Sequence, residues 1–509
     1  MSRDRGRSHG RSCSPACSAA PPSPAAACWR IWRATEDTTL TLLASYQTEW
    51  GGETGFNDLP TSGTLRFNPN GRIPFHRYSG DPTFDRFSRE QVSFGYALQH
   101  RFDETLTVRQ NVRYTDLDVR LRALNRVGEL LADNRTLNRA AFGIKAGAQS
   151  AAADNQAQLT FDTGPMKHVA VVGLDFRYEM STYDVGRGTA PPIDIYNPSY
   201  GLPIADPGTS NFVRNRARQT QIGLYAQDQI KLGQWILTLG GRHDWVDGKT
   251  ENRRIGSASR QSDSAFSGRV GLCYVSDIGI APYVSYSTSF QPTSGTDFTG
   301  RPFDPSKGAQ IEAGVKYQPF GSKTFVTLSA FHLKQTNVLT ADPDPSHVGF
   351  SVQTGEVKAR GIEIEGRTQL FTGLGLIASY TYLDHEISKS ANPAEVGRRL
   401  PNTPVHQASL WLDYVFQDGP FAGLGLGGGI RYVGKTYDAT NAARVPGYTL
   451  VDATVHYDLG RLTPPMAGAR LTLTATNLFD KYYVSQCTNN AGCTLGQRRT
   501  IIAALNYQW

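Results

Sequence analysis

Residues 500–509 read TIIAALNYQW. Ile501, Ala503, Leu505, Tyr507 and Trp509 alternate with Thr500, Ile502, Ala504, Asn506 and Gln508. A period of two places one set on each face of a strand. An apolar face ending in aromatics, opposed to a mostly polar one, predicts a strand with lipid on one side and a wet lumen on the other.

Upstream the same pattern recurs. In 221–227, Ile222, Leu224 and Ala226 alternate with Gln221, Gly223, Tyr225 and Gln227; Trp235, Leu237 and Leu239 alternate with Ile236, Thr238, Gly240 and Arg242. Val451, Ala453, Val455 and Tyr457 alternate with Asp452, Thr454 and His456. Candidate strands come in pairs joined by tight turns: 91–102 with 105–116, 219–230 with 235–245, 265–275 with 281–290, 310–317 with 324–334, 358–369 with 374–385 and 406–416 with 424–433. Before the first of these stand a strand beginning at Thr38 and a long loop reaching residue 89. Long connections rich in Gly, Pro, Asn and Asp separate the pairs, as at 186–211, 291–307 and 341–349, and another follows 116. Short turns on one rim and long loops on the other predict an all-β transmembrane antiparallel barrel of about eighteen strands, each near the ten residues a tilted strand needs. Soluble sandwiches space their strands more evenly.

Composition agrees. Mean hydropathy is −0.39 and no run of eighteen apolar residues exists, which excludes helical spans but not a barrel, where only alternate residues meet lipid. The net charge of +7 resides mainly in residues 1–33, where six arginines face only Asp4, so no basic face for nucleic acid is implied. Cys487 and Cys493 bracket a short polar loop and suit a disulfide in an oxidising compartment, two unlinked thiols being the alternative. Residues 1–33 are rich in Arg, Ser, Ala, Pro and Cys, show no alternation and lack the apolar core of a signal peptide. They are expected to be disordered or mistranslated, with the barrel domain occupying 34–509.

Several motifs in order resemble TonB-dependent outer-membrane receptors, specifically the ferrichrome-type receptors for ferric hydroxamate siderophores: TVRQN at 107–111, LTLGGR at 237–242, PSKG at 305–308 with EAGVKY at 312–317, ARGIEIE at 359–365, and NLFDKYY at 477–483. The Cys487–Cys493 loop ahead of an aromatic-ended last strand is similar too, and makes Tyr507 and Trp509 an outer-membrane signal at the C-terminus. The resemblance implies a family barrel of 22 strands with a plugged lumen. It implies uptake of a ferric siderophore driven by the TonB complex, in a monomer placed in the Gram-negative outer membrane by barrel-assembly machinery. On this reading the first recognisable strand is about the fifth of the family barrel. The N-terminal plug domain, the TonB box and the signal peptide are expected to be missing, and the chain is not expected to support growth on a siderophore.

No catalytic constellation and no metal site is expected. The ten histidines are scattered, Glu363 and Glu365 share one strand face, and the Gly-rich stretch 423–429 opens a strand and not a helix. No cofactor is implied, because a siderophore wraps its iron in its own oxygens. Recognition then needs aromatic faces and hydrogen-bond donors. Phe56, in GFNDLP at 55–60, is similar to the ligand-contacting aromatic loop of ferrichrome receptors; Tyr78, Tyr183 and Tyr196 are loop aromatics able to join it. The cysteine loop carries no aromatic between 488 and 492, which points to a siderophore other than ferrichrome. A passive porin, conducting without TonB, and a soluble β-rich binding protein are the competing classes.

Overall fold

Strands that must cross hydrocarbon have no water to satisfy their backbone, so each N–H and C=O needs a neighbouring strand. The computed structural model of the protein, which describes residues 11–18, 23–52, 58–293, 295–342, 344, 351–489 and 492–507, meets this demand with one sheet of twenty antiparallel strands. In chain order these are β1 (Arg11–Ser18), β2 (Ser23–Arg33), β3 (Thr38–Gly51), β4 (Arg86–Arg101), β5 (Leu106–Leu130), β6 (Thr136–Thr163), β7 (Met166–Asp194), β8 (Val213–Leu232), β9 (Trp235–Asn252) and β10 (Ser257–Tyr274). Then follow β11 (Ile280–Gln291), β12 (Ser306–Tyr317), β13 (Phe325–Ala341), β14 (Ser351–Phe371), β15 (Leu374–Lys389), β16 (His406–Val415), β17 (Leu424–Val433), β18 (Tyr448–Asp458), β19 (Ala469–Thr476) and β20 (Thr500–Tyr507). Each strand pairs with the next in sequence.

From Thr38 onward the sheet has the eighteen strands that the alternation predicts. Two features differ. Residues 11–18 and 23–33 extend the sheet as β1 and β2 although their sequence does not alternate, because ladder hydrogen bonds join backbones whatever the side chains. The long loop expected after 116 is mostly strand: β5, β6 and β7 run to 25, 28 and 29 residues, and only 131–135 connects β5 to β6. These extensions reach past the apolar zone, where neither face meets lipid, so the ladder continues after the alternation has faded.

Sidedness follows from the register. Trp235 and Trp245 lie on one face of β9, about half exposed, with exposed Leu239 between them. Ten residues at about 3.3 Å each, tilted about 45°, span about 23 Å, close to the height of a lipid-facing band between aromatic girdles. That face continues strand to strand through Phe176–Ile222–Trp245, Val270–Tyr286–Ile311, Val315–Leu328–Ile364–Tyr380, and Val455–Leu473. All of these side chains are exposed, which in water would be untenable for so wide a surface.

The opposite face is a polar network. Arg242 pairs with Asp175 and Asp244, Gln221 donates to Asp244 at 2.8 Å, and the Tyr225 hydroxyl donates to Asp154 at 2.7 Å. Two glycines permit this crossing: a Cβ on Gly223 would lie 1.9 Å from the Arg242 guanidinium, and one on Gly173 2.2 Å from the Tyr225 ring. Glu363 and Glu365 fall on this inner side, alternating with the outward Ile362 and Ile364. Buried charge of this density stays ionised only beside water or polar protein.

Ile364→Arg is expected to destabilise the protein in lipid vesicles by about 2–4 kcal/mol, whereas Glu363→Gln changes it by about 0.5 kcal/mol or less. Guanidinium unfolding followed by tryptophan fluorescence measures both. Equal costs would invalidate the assignment of faces.

Candidate ligand-capture site at the loop rim

The three clusters of buried apolar residues form where the long loops meet the ends of neighbouring strands. Leu59, Ile73 and Ile195 form one fully buried cluster, and Val445, Val484, Cys487 and Cys493 another; Leu495 packs on both. A third joins Phe84, Leu124 and Ala141. These side chains come from the connection after β3, the tops of β5 and β6, the connection after β7, and the segments before β18 and β20. Hydrophobic burial therefore folds the loops into a cap on one rim.

Cys487 and Cys493 are bonded, and their strands 484–489 and 492–495 form a small sheet with Leu59–Pro60. Tyr482 packs against Phe75 with ring centroids 4.9 Å apart, beneath the Arg72 guanidinium, while Arg498 pairs with Asp480. The loop leaving β3 is thus fastened to the loop entering β20 at this rim.

The segment 78–85 is anchored on its other side by buried charge. Asp85 accepts from the Tyr78 hydroxyl, from Asp81 N–H (3.2 Å) and from Leu124 N–H (3.0 Å). Asp81 accepts from Thr83 N–H (2.9 Å), its hydroxyl (2.8 Å) and Gly201 N–H (2.9 Å). Arg139 donates to the carbonyls of Gly80, Pro191 and Ser79. Burial pushes the Asp85 carboxyl up, against the pull of its three donors. Burial opposes ionisation of Asp81 as well, but the Gly201 and Thr83 donors together hold it below the usual carboxylate range.

These contacts sort the candidate aromatics. Tyr78 and Tyr196 share the cap, but as parts of its interior: the Tyr196 hydroxyl donates to Gly71 O at 2.7 Å and its ring packs on the Leu59 cluster. Tyr78 gives its hydroxyl to Asp85 and its carbonyl to Tyr200. Tyr183 stands apart, about half exposed on β7, on the same face as the inward Asp175. Phe56 and Trp509 lie outside the described residues, and Tyr507 is exposed at the end of β20.

Two residues below Tyr183 on β7, the wall holds a cavity of about 210 Å³ lined by Glu179, Ser181, Gln219, Thr250, Ser259 and Gln261, with Arg218 and Lys249 also on its border. Gln261 also donates to the Phe303 carbonyl, which ties the 295–303 loop over the wall. This donor-rich mouth escaped the sequence reading, which looked for aromatics in loops. Extending the inward parity of Asp175 up β7 would have reached Glu179, Ser181 and Tyr183.

A family model described as TonB dependent receptor-like, beta-barrel, matches residues 30–478. The chain is 36% identical over 508 residues to the ferrichrome outer membrane transporter/phage receptor of Escherichia coli (strain K12), and 37% identical over 481 residues to the ferrioxamine B receptor of Salmonella typhimurium (strain LT2). Each alignment covers 94% of this chain and 66% of the relative, so the chain spans about two thirds of their length. Among solved structures, the ferric-catecholate import receptor Fiu from K12 E. coli in its closed form superposes with a TM-score of 0.82 at 21% identity, covering 96% of this chain and 74% of that one. The siderophore receptor PiuA from Acinetobacter baumannii also gives 0.82, at 19% identity, covering 99% and 75%.

Asp81→Ala is expected to cost the cap about 1–3 kcal/mol, because three donors lose a charged acceptor. Hydrogen exchange should report it as faster exchange at Gly201 and Thr83. A depressed carboxyl stabilises above its unfolded pKa of about 3.9 and loses that contribution as pH falls through its folded value. The difference between variant and wild type should therefore shrink in acid; one that persists unchanged there would rule out the ionised Asp81 as the anchor.

Proposed function

Because the chain belongs to the TonB-dependent receptor-like β-barrel family of the outer membrane, we propose that it captures ferric siderophores of the hydroxamate class at the capped rim and lines their route inward. The observation that carries this reading is the cavity two residues below Tyr183 on β7, where Ser181, Gln219, Thr250, Ser259 and Gln261 bring hydroxyl and amide groups together beside Glu179, Arg218 and Lys249. A ferric trihydroxamate exposes carbonyl oxygens and an organic shell around an uncharged core. Hydroxyl and amide donors with an aromatic face near them suit such a ligand. Iron arrives already coordinated, so the wall has to recognise the ligand and not the metal. Two of its relatives are receptors for ferrichrome and ferrioxamine B, both hydroxamate siderophores. In this reading residues 34–509 supply wall and loops, the siderophore and TonB are the partners, and no enzymatic step is involved. The conformational work of transport falls to TonB coupling in the whole receptor.

Titration of the purified protein in detergent with ferric ferrioxamine B, ferrichrome and a ferric tris-catecholate tests the class. Saturable binding of a hydroxamate at micromolar or lower concentration is expected, with the trianionic catecholate rejected. Tyr183→Ala should weaken hydroxamate binding about tenfold, as removal of an aromatic contact commonly does. Equal affinity for all three complexes, or none for any, would refute the assignment; steady conductance in planar bilayers without ligand would favour a passive pore.

A further inference from the structure

β15 outlasts its neighbour. Its ladder to β16 ends at Tyr382↔His406, yet the strand runs on to Lys389, and the connection that follows folds back along it. Two backbone bonds hold that return: Leu383 N–H to Val405 O at 2.8 Å, and Ile387 N–H to Arg398 O at 2.9 Å. Between them the side chain of His385 takes over. Its Nδ1 accepts from Leu400 N–H at 3.0 Å, and its Nε2 lies 3.2 Å from Thr403 O. His385 is 1% exposed, so bulk water cannot replace either partner.

These two partners fix the state of the ring. A backbone N–H only donates and a carbonyl only accepts, so Nδ1 carries the lone pair and Nε2 the proton. The imidazole is neutral, in a single tautomer. A second proton could enter only at Nδ1, where it would meet the Leu400 N–H and break that bond. His385 stands beyond Tyr380 of the lipid-facing band, on the loop side, and there burial disfavours the imidazolium against the pull of the Thr403 carbonyl. The charges that face the ring are Arg399 on the returning segment, Asp384 beside it on β15, and Arg360 on β14, which pairs with Asp384 at 3.0 Å. Arg399 opposes the imidazolium, and Asp384 favours it but is shared by both arginines. Across the ladder His385 meets Ala359, flanked on that face by Val357 and Gly361, and none of these titrates.

The segment that His385 holds is a junction between loops. Asn402, in the left-handed region at φ 56°, donates its N–H to Tyr437 O at 2.8 Å and accepts from Cys487 N–H at its Oδ1, 3.2 Å away. Arg399 N–H donates to Asn441 Oδ1 at 2.9 Å, and Asn441 Nδ2 donates back to Arg399 O at 3.0 Å. Tyr437 and Asn441 belong to the small hairpin closed by Thr436↔Val445, and Val445 packs in the Cys487–Cys493 cluster. One imidazole thus clamps a stretch to which both the disulfide loop and this hairpin are tied.

We propose that His385 is a proton-sensitive clamp on the rim: neutral, it holds residues 398–405 against β15 and, through Asn402, steadies the disulfide loop; protonated, it releases both. The device lies outside siderophore recognition and operates whichever ligand the mouth accepts. A histidine in the released segment takes up its proton near the ordinary value of about 6.5, whereas the clamped ring resists until the pH is lower. The contribution of the clamp is therefore complete above about 6.5 and is lost as pH falls through the folded value. Between about pH 7.5 and 5.5, release should become about tenfold more favourable.

Hydrogen exchange of the purified protein in detergent, corrected for intrinsic exchange, reads the clamp at the Leu400 and Cys487 amides. Their protection should fall about tenfold over that pH range, while Gly201, held by the ionised Asp81, keeps its protection. In His385→Gln the side-chain amide can donate to Thr403 O and accept from Leu400 N–H without titrating, so protection at both amides should change by less than about twofold. Nitrogen NMR of histidine-labelled wild-type protein gives a second measurement that needs no variant. The His385 ring should show the neutral Nε2–H tautomer and protonate below about 6.5. The same pH dependence in His385→Gln, a response at Leu400 with none at Cys487, an Nδ1–H tautomer, or protonation at or above about 6.5 would each overturn the proposal.

Discussion

A backbone amide in hydrocarbon has no water to turn to, and this demand organises the protein. It is met here by strands that pair with their sequence neighbours, so that each short turn and long loop is placed on its rim by counting alone. The sheet needs no hydrophobic interior to hold it, because the membrane solvates its apolar face. That leaves the inner face free to carry Arg242 hydrogen-bonded to Asp175 and Asp244, with its guanidinium over the Tyr225 ring. Polar groups at such density would be a liability inside a soluble domain, and here they form the wall of a wet space.

Apolar burial gathers where the long loops meet the strand ends. The clusters around Leu59 and around the Cys487–Cys493 bond make a compact cap out of segments more than four hundred residues apart in sequence. The same packing engages Tyr78 and Tyr196, whose hydroxyls serve Asp85 and Gly71.

How legible this was depended on where each residue stands relative to the membrane. Within the lipid zone the alternation is strict, since Ile362 and Ile364 must face outward and Glu363 and Glu365 inward, and both strand existence and sidedness could be read directly. Above it the rule lapses. Residues 117–130 mix apolar and polar positions because cap, solvent and lumen all adjoin them, so a strand there looked like a loop. The aromatic candidates were found by residue type, and type does not reveal whether a hydroxyl is already engaged.

The chain by itself determined a lipid-facing sheet, its approximate strand number and its family, because solvent on each face imposes a period that local sequence must obey. Only the tertiary structure decided that Asp81 and Asp85 anchor a loop, that the Tyr196 hydroxyl is engaged by Gly71, and that β10 and β11 part above Arg269. Those outcomes rest on partners distant in sequence, and no local period encodes a distant partner.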